Sequence, residues 1–372
     1  MGNGGNEMVK EMNHLERCMA SITNQPVDRL TAYPIACGVN RRLLATPTSY
    51  AEWASDPKKF AAAFVAGQKY FDYDWTFGLM DLSVLAHDLG AKVRMDEQNT
   101  PFVTDPVIKT PEDYEKLTVP DVKKGRCGVI VEGTKLFVDE LKNTIVCAGF
   151  LEGPLLVLTQ SAGAEKVFMD MYNHRSAVHK ALATITQLDA DMVKGFATTG
   201  CAGLAWDYLW GSYSCLGDKE YDEFEGQHKY AGMLNKMTAD NGMAFCIHNC
   251  ADLPHLDTQI KGMKPVIYSM AYYPLIPGSP APKEVIGKGY CDNCLVGGNI
   301  DPQQFVRASP EKIQKTTMNL LQEVKTALCA RGLHSRYVVA SGCEVPPALI
   351  TKLENIKEVV DTTKKYGQIE CG

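Results

Sequence analysis

Phe245-Cys246-Ile247-His248-Asn249-Cys250 is a short apolar run that ends in a histidine and a cysteine two residues apart. In an extended strand the side chains at i and i+2 point to one face, so His248 and Cys250 stand side by side at its C-terminal end. Imidazole nitrogen and thiolate sulfur are both zinc donors, and one histidine with two cysteines leaves the fourth tetrahedral position open for chemistry. One more cysteine is needed. Cys246 has the right parity, but at roughly 3.3 Å per residue its backbone lies about 13 Å from that of Cys250, too far for one ion. Cys343 is the better third ligand, because Tyr337-Val338-Val339-Ala340-Ser341-Gly342-Cys343 is another apolar run that ends in glycine and then turns. Two strands ending on the same side of one sheet bring the three donors together. The competing reading makes His248 a hydrogen-bonded core histidine and the cysteines small buried hydrophobes. The paired spacing with a strand-end cysteine favours the metal.

Outward from this run, apolar strands alternate with helices along the whole chain. Helical spacing of Met12, Leu15, Met19 and Ile22 predicts a first helix over 9–22 with those residues on its apolar face. Strands are expected over 28–38, 72–77, 144–150, 203–207, 245–250, 265–269, 294–302 and 337–342. Helices are expected over 56–68, 81–89, 134–141, 175–198, 220–241 and 310–331, while 96–125, rich in proline and charge, reads as an excursion outside the repeat. Alternation of this kind indicates a parallel sheet. Eight strands with polar residues at their C-terminal ends point to a closed α/β barrel, the TIM (β/α)8 architecture, preceded by an N-terminal helical extension. In such a barrel the active site lies at the C-terminal ends of the strands. Glu152, Asp207, His248, Cys250, Asn299, Asp301 and Cys343 all fall there.

The 372 residues are 45% apolar and 22% charged with a net charge of -6, a composition that suits a soluble globular protein and lacks a basic footprint for nucleic acid or anionic membrane. Residues 1–10 have no apolar signal core and no stretch approaches a spanning length, so a cytoplasmic location is expected. Thirteen scattered cysteines are then expected to be free thiols. Cys291-Asp292-Asn293-Cys294 is a lone pair without a matching second pair, a weak signal for metal or disulfide exchange. Arg41 and Arg42 follow the first strand, where they can either hold an anionic substrate group or form a solvated basic pair.

Glu16-Arg17, Pro26-Val27-Asp28-Arg29, Glu152-Gly153-Pro154, the His248 run, Gly298-Asn299-Ile300-Asp301-Pro302 and Gly342-Cys343-Glu344-Val345-Pro346-Pro347 together resemble the uroporphyrinogen decarboxylase superfamily, in the same order and over nearly the full chain. Within it, His-x-Cys with a late Cys is similar to the corrinoid-dependent methyltransferases, including the methylcobamide:coenzyme M enzymes. The resemblance implies one barrel domain over 1–372, with 1–27 as the helical extension. It also implies a catalytic zinc on His248, Cys250 and Cys343, and a corrinoid carried by a separate partner protein. It leaves Glu152 as a displaceable fourth ligand and Asp207 for substrate positioning or proton transfer. Trp206-Asp207-Tyr208-Leu209-Trp210, Ala271-Tyr272-Tyr273-Pro274 and Gly38-Val39-Asn40-Arg41-Arg42 depart from the coenzyme M branch, and the aromatics Trp206, Tyr208, Trp210, Tyr213, Tyr272 and Tyr273 fall at or just beyond strand ends. They favour a methoxylated aromatic as methyl donor, with Arg41, Trp206, Tyr208, Tyr272 and Asn299 as substrate contacts. Methylcobamide:thiol transfer is the first alternative. The second is a metal-free decarboxylase using Arg41 and Arg42 as carboxylate clamps.

Overall fold

The computed structural model describes residues 10–271 and 278–371. Eight short strands form its centre: β1 (Thr31–Tyr33), β2 (Trp75–Phe77), β3 (Val146–Glu152), β4 (Gly203–Asp207), β5 (Ala244–Asn249), β6 (Ile267–Met270), β7 (Leu295–Ile300) and β8 (Tyr337–Ser341). Every pairing among them is parallel, in the order β1-β8-β7-β6-β5-β4-β3-β2. β4, β7 and β8 are buried along their whole length. Parallel strands covered on both faces read as continuous apolar runs, which is why they were legible in the sequence.

The seam between β1 and β2 is closed by one residue. The Asp74 amide donates to the Ala32 carbonyl at 3.0 Å, and the Asp74 carboxylate accepts from the Ala32 amide at 2.8 Å. The same carboxylate accepts from Arg17 at 2.7 Å and from Arg29 at 2.8 Å. Burial opposes ionisation there, but bonds to His14, Arg29 and Arg17 outweigh it and hold Asp74 well below the usual carboxylate range.

That carboxylate also decides how the N-terminal helix sits. The helix runs over His14–Ile22 behind a capping box of Asn13 and Glu16. Its buried residues are Arg17, Cys18 and Ser21, whereas Met19 is 53% exposed. The expected apolar face is therefore corrected: the ground beneath the helix is ionic, and an arginine suits it better than a methionine.

Other elements differ from expectation for local reasons. The segment expected as one helix over 220–241 is two, Asp218–Phe224 and Tyr230–Asp240, with Gly226 between them. The excursion begins earlier than expected, in an antiparallel pair of Lys92–Arg94 with Phe102–Asp105, and carries a 3-10 turn at Pro111–Lys116. A C-terminal helix, Leu353–Tyr366, buries Ile356, Val359 and Val360. Cys329 and Cys371 form a disulfide, which corrects the expectation that all thiols are free. Among the described residues no helix is long and apolar enough to cross a membrane.

Candidate metal centre

Register sets the site. Glu152 pairs with Asp207, Asp207 with His248, and His248 with Ser269, so these four residues form one row across β3, β4, β5 and β6. Residues in register on adjacent strands share a face, and this row lies at the C-terminal end of the barrel. Cys250 follows two residues after His248. Cys343 arrives from the turn after β8, where the Gly342 amide donates to Ile300 O at 2.8 Å. The ligand atoms of His248, Cys250 and Cys343 all lie within 4.8 Å of one another, the one such group found among the described residues. Cys246 lies one layer deeper, opposite Ala205 and Ile267, and burial pushes its thiol up to about 12.

The two sulfurs of Cys250 and Cys343 are 3.6 Å apart, close enough to share a proton. The Cys250 thiol and then His248 hold Cys343 well below an ordinary thiol despite its burial, while Cys250 is pushed up. His248 Nδ1 lies 3.0 Å from Ser269 Oγ. A partner at Nδ1 fixes ring orientation and leaves Nε2 for a ligand. Two sulfurs and one imidazole in this arrangement suit a thiophilic cation such as zinc.

The centre opens into a cavity of about 580 Å³. Its floor includes His248, Cys343, Asp207, Glu344 and Asp81, and its walls include Ile35, Leu79, Phe77, Phe150 and Pro347. The rings of Phe77 and Phe150 stack with centroids 5.6 Å apart. Asp207 is raised to about 7 by burial and the neighbouring Cys343, with His248 opposing. Its Oδ1 has no protein partner. Glu344 accepts from the Gly38 amide at 2.9 Å, yet burial and Cys343 raise it to about 8.

Asp81 and Glu344 are cavity residues that motif reading overlooked. Asp81 accepts from the Ser83 amide at 2.9 Å and pairs with the buried Arg126. Its signal was an acid directly after Leu79-Met80, the same pattern that flagged Asp207, hidden because the residues after it read as a helix.

Several expected contacts are corrected by the geometry. Glu152 is buried, is raised to about 8 by burial and Asp81, and does not join the three ligand atoms. Arg41 is buried and held by the Gly38 and Pro347 carbonyls and by Glu97 at 2.8 Å, so it faces protein groups rather than the cavity. Arg42 donates to Thr351 O. Trp206 and Tyr208 are fully buried and stack on each other, outside the cavity lining. Strand alternation explains it: Asp207 faces inward with the row, so its neighbours face the helices. Trp210 donates to Thr159 Oγ1 at 2.9 Å, and Tyr213 to Asp218 at 2.8 Å. Asn299 donates to Ala271 O and accepts from Tyr337 OH, which ties it into the wall. Asp301 accepts from the Gln303 amide at 2.9 Å and starts the turn after β7. Cys291 and Cys294 are buried thiols, and burial pushes Cys291 up to about 12. Tyr272 and Tyr273 lie outside the described residues.

Methylcobamide:CoM methyltransferase MtbA of Methanosarcina acetivorans is 21% identical over 359 residues, covering 94% of this chain and 97% of that protein. The MtbA of Methanosarcina mazei is 20% identical with the same coverage. Among solved structures, a methyltransferase from Methanosarcina mazei has a TM-score of 0.78 at 19% identity, over 96% of this chain and 99% of that one. A B12-independent methionine synthase from Shewanella sp. W3-18-1 has a TM-score of 0.53 at 11% identity, over 90% of this chain and 93% of that one. These two likenesses show the barrel fold. The family described as "Uroporphyrinogen decarboxylase (URO-D)" matches residues 13–366, nearly the whole chain, and the chain therefore belongs to the uroporphyrinogen decarboxylase family.

Proposed function

We propose that this protein is a zinc-dependent methyltransferase that passes a methyl group between a small molecule and a corrinoid carried by a partner protein. The observation that carries the reading is the convergence of the His248, Cys250 and Cys343 ligand atoms, with His248 and Cys343 lining the cavity. The full-length similarity to methylcobamide:CoM methyltransferases supports corrinoid-dependent methyl transfer. A decarboxylase that clamps carboxylates with Arg41 and Arg42 is disfavoured, because both guanidinium groups are engaged by protein oxygens.

The finer reading takes a methoxylated aromatic as methyl donor, supported by the stacked Phe77 and Phe150 beside apolar walls. His248, Cys250 and Cys343 would hold the zinc, which would supply a Lewis acid to the ether oxygen. The methyl group would leave that oxygen, which keeps the electron pair of the broken bond, for the partner's corrinoid, which would supply the electron pair of the new one. Asp207, raised to about 7 by burial and so present in both protonation states near neutral pH, would in its protonated form give a proton from its cavity-facing carboxyl to the departing phenolate oxygen. His248 keeps its ring orientation through Ser269. A thiol acceptor is the second reading, favoured by the names of the relatives; there Asp207, as carboxylate, takes the thiol proton.

Metal analysis with turnover tests the reading. Near-stoichiometric zinc is expected in the wild type and in Cys291→Ala, and its loss in Cys343→Ala. Zinc content equal to wild type in alanine variants of all three ligands would sink the site. With reduced corrinoid protein, methoxybenzenes are expected to be demethylated. Thiol methylation from methylcobalamin without ether demethylation would establish the second reading instead.

A further inference from the structure

Arg307 stands apart from every other arginine in the chain. Arg17, Arg29, Arg41, Arg94, Arg126, Arg175 and Arg331 pair with carboxylates. Arg42 and Arg336 donate to the carbonyls of Thr351 and Ile22. Among the described residues the Arg307 guanidinium has neither kind of partner, and it is exposed at the edge of the same cavity whose floor holds His248 and Cys343.

Its backbone is fixed. The short helix Gln304–Arg307 is anchored by the buried Phe305. The Arg307 amide donates to Gln303 O at 3.0 Å, and Asn355 donates to Ala308 O at 3.1 Å just beyond. A free guanidinium on an anchored turn at a cavity lip is a ready partner for an anion, since its fork matches a carboxylate or sulfonate edge. The distribution of charge points the same way. The floor contains the acids Asp81, Asp207 and Glu344, while Arg307 is the one arginine or lysine in the lining. A substrate with an anionic end is thus turned with that end outward and its other end toward the thiols. Gln303 and Asn99, also at this lining, offer amide donors for the remaining oxygens.

We infer that Arg307 is a specificity-determining residue that binds a terminal carboxylate or sulfonate of the small-molecule substrate and so directs the opposite, methyl-exchanging end to the metal centre. The inference rests on the proposed methyl-transfer reading for what happens at that other end, but anion recognition itself can be measured without turnover.

The experiment is binding by isothermal titration to the purified full chain, without corrinoid, using two pairs of probes. Each pair is an anion and a neutral analogue: 4-methoxybenzoate with 4-methoxybenzamide, and 2-mercaptoethanesulfonate with 2-mercaptoethanol. The pair showing the larger preference for its anion identifies the source of the charge. Wild type is expected to prefer the anion, and Arg307→Ala to bind that anion roughly tenfold or more weakly, with the neutral analogue unchanged. Arg307→Lys is expected to recover part of the loss, and Arg94→Ala, at another surface arginine, none of the effect. In turnover the loss is expected in KM with kcat kept. No anion preference in wild type, an equal loss for both members of a pair, or a loss confined to corrinoid-protein affinity would each overturn the inference. Intact anion discrimination without methyl transfer to any corrinoid would instead sink the methyltransferase reading and leave Arg307's role in place.

Discussion

Glu225 is a fully buried carboxyl group with one oxygen bonded to the Leu155 amide at 3.1 Å and the other without a protein partner. Burial raises it from an ordinary 4.5 to about 8. The unfolded chain loses this proton near 4.5 and the folded chain only near 8, so the unfolded state is favoured increasingly as pH rises between those values. We predict that Glu225→Gln, which keeps the acceptor for Leu155, stabilises the protein at pH 8 by on the order of a few kcal/mol, with the gain vanishing near pH 4. Urea denaturation across that range checks it, and a gain independent of pH would contradict it. Ser269 gives a second residue-scale prediction. Ser269→Ala removes the Nδ1 partner of His248 and is expected to weaken zinc binding about tenfold while the barrel stays folded. Competition with a chelator measures that, and unchanged affinity would show that the serine does not orient the ligand. At this scale the sequence was legible wherever side-chain type and spacing alone fix the chemistry, as with His248 and Cys250. It misled wherever parity was neglected. Trp206 and Asp207 are adjacent in one strand, so they could not both face the cavity, and aromatic character outweighed that geometry in reading Trp206 as a substrate wall.

Single elements were legible in proportion to how far their burial is apolar. β4 was bounded correctly at both ends because its residues are buried on both faces. The N-terminal helix was found but turned the wrong way, since its partner surface is the ion cluster of Arg17, Arg29 and Asp74, and pairing across 57 positions leaves no periodic trace in sequence. That cluster has a measurable consequence. Asp74 holds the β1–β2 seam through Ala32 and receives Arg17 and Arg29 together, so Asp74→Asn leaves the buried Arg29 without its paired carboxylate and Arg17 with Asp28 alone. The expected loss is about 3–5 kcal/mol at neutral pH. Because the folded carboxyl is held well below its ordinary 3.8, the wild-type advantage is full above that value and is lost as pH falls toward the depressed one. The separation between the urea midpoints of wild type and variant is expected to narrow from pH 7 to pH 3 without closing, because the folded carboxyl is still ionised there, and a constant separation would mean that the charge is not what holds the seam.

At the scale of the whole molecule, the family match occupies residues 13–366, the barrel itself. The cavity is of a size for a small substrate, about 580 Å³. A corrin macrocycle, far broader than such a pocket, has to present its face across the mouth from outside if cobalt is to reach a methyl group near Cys343. Ile350, which lines the cavity and is 64% exposed, stands at that mouth with the exposed Arg307. On the proposed methyl-transfer reading, the cofactor's grip then comes chiefly from the partner protein that carries it. We predict that the purified chain keeps no cobalamin through gel filtration, and that methyl transfer saturates with added corrinoid protein at far lower concentration than with free cobalamin. Cobalamin-dependent absorbance co-eluting with the chain in stoichiometric amount would contradict this. It would require a cofactor pocket on the barrel itself and would remove the need for a carrier.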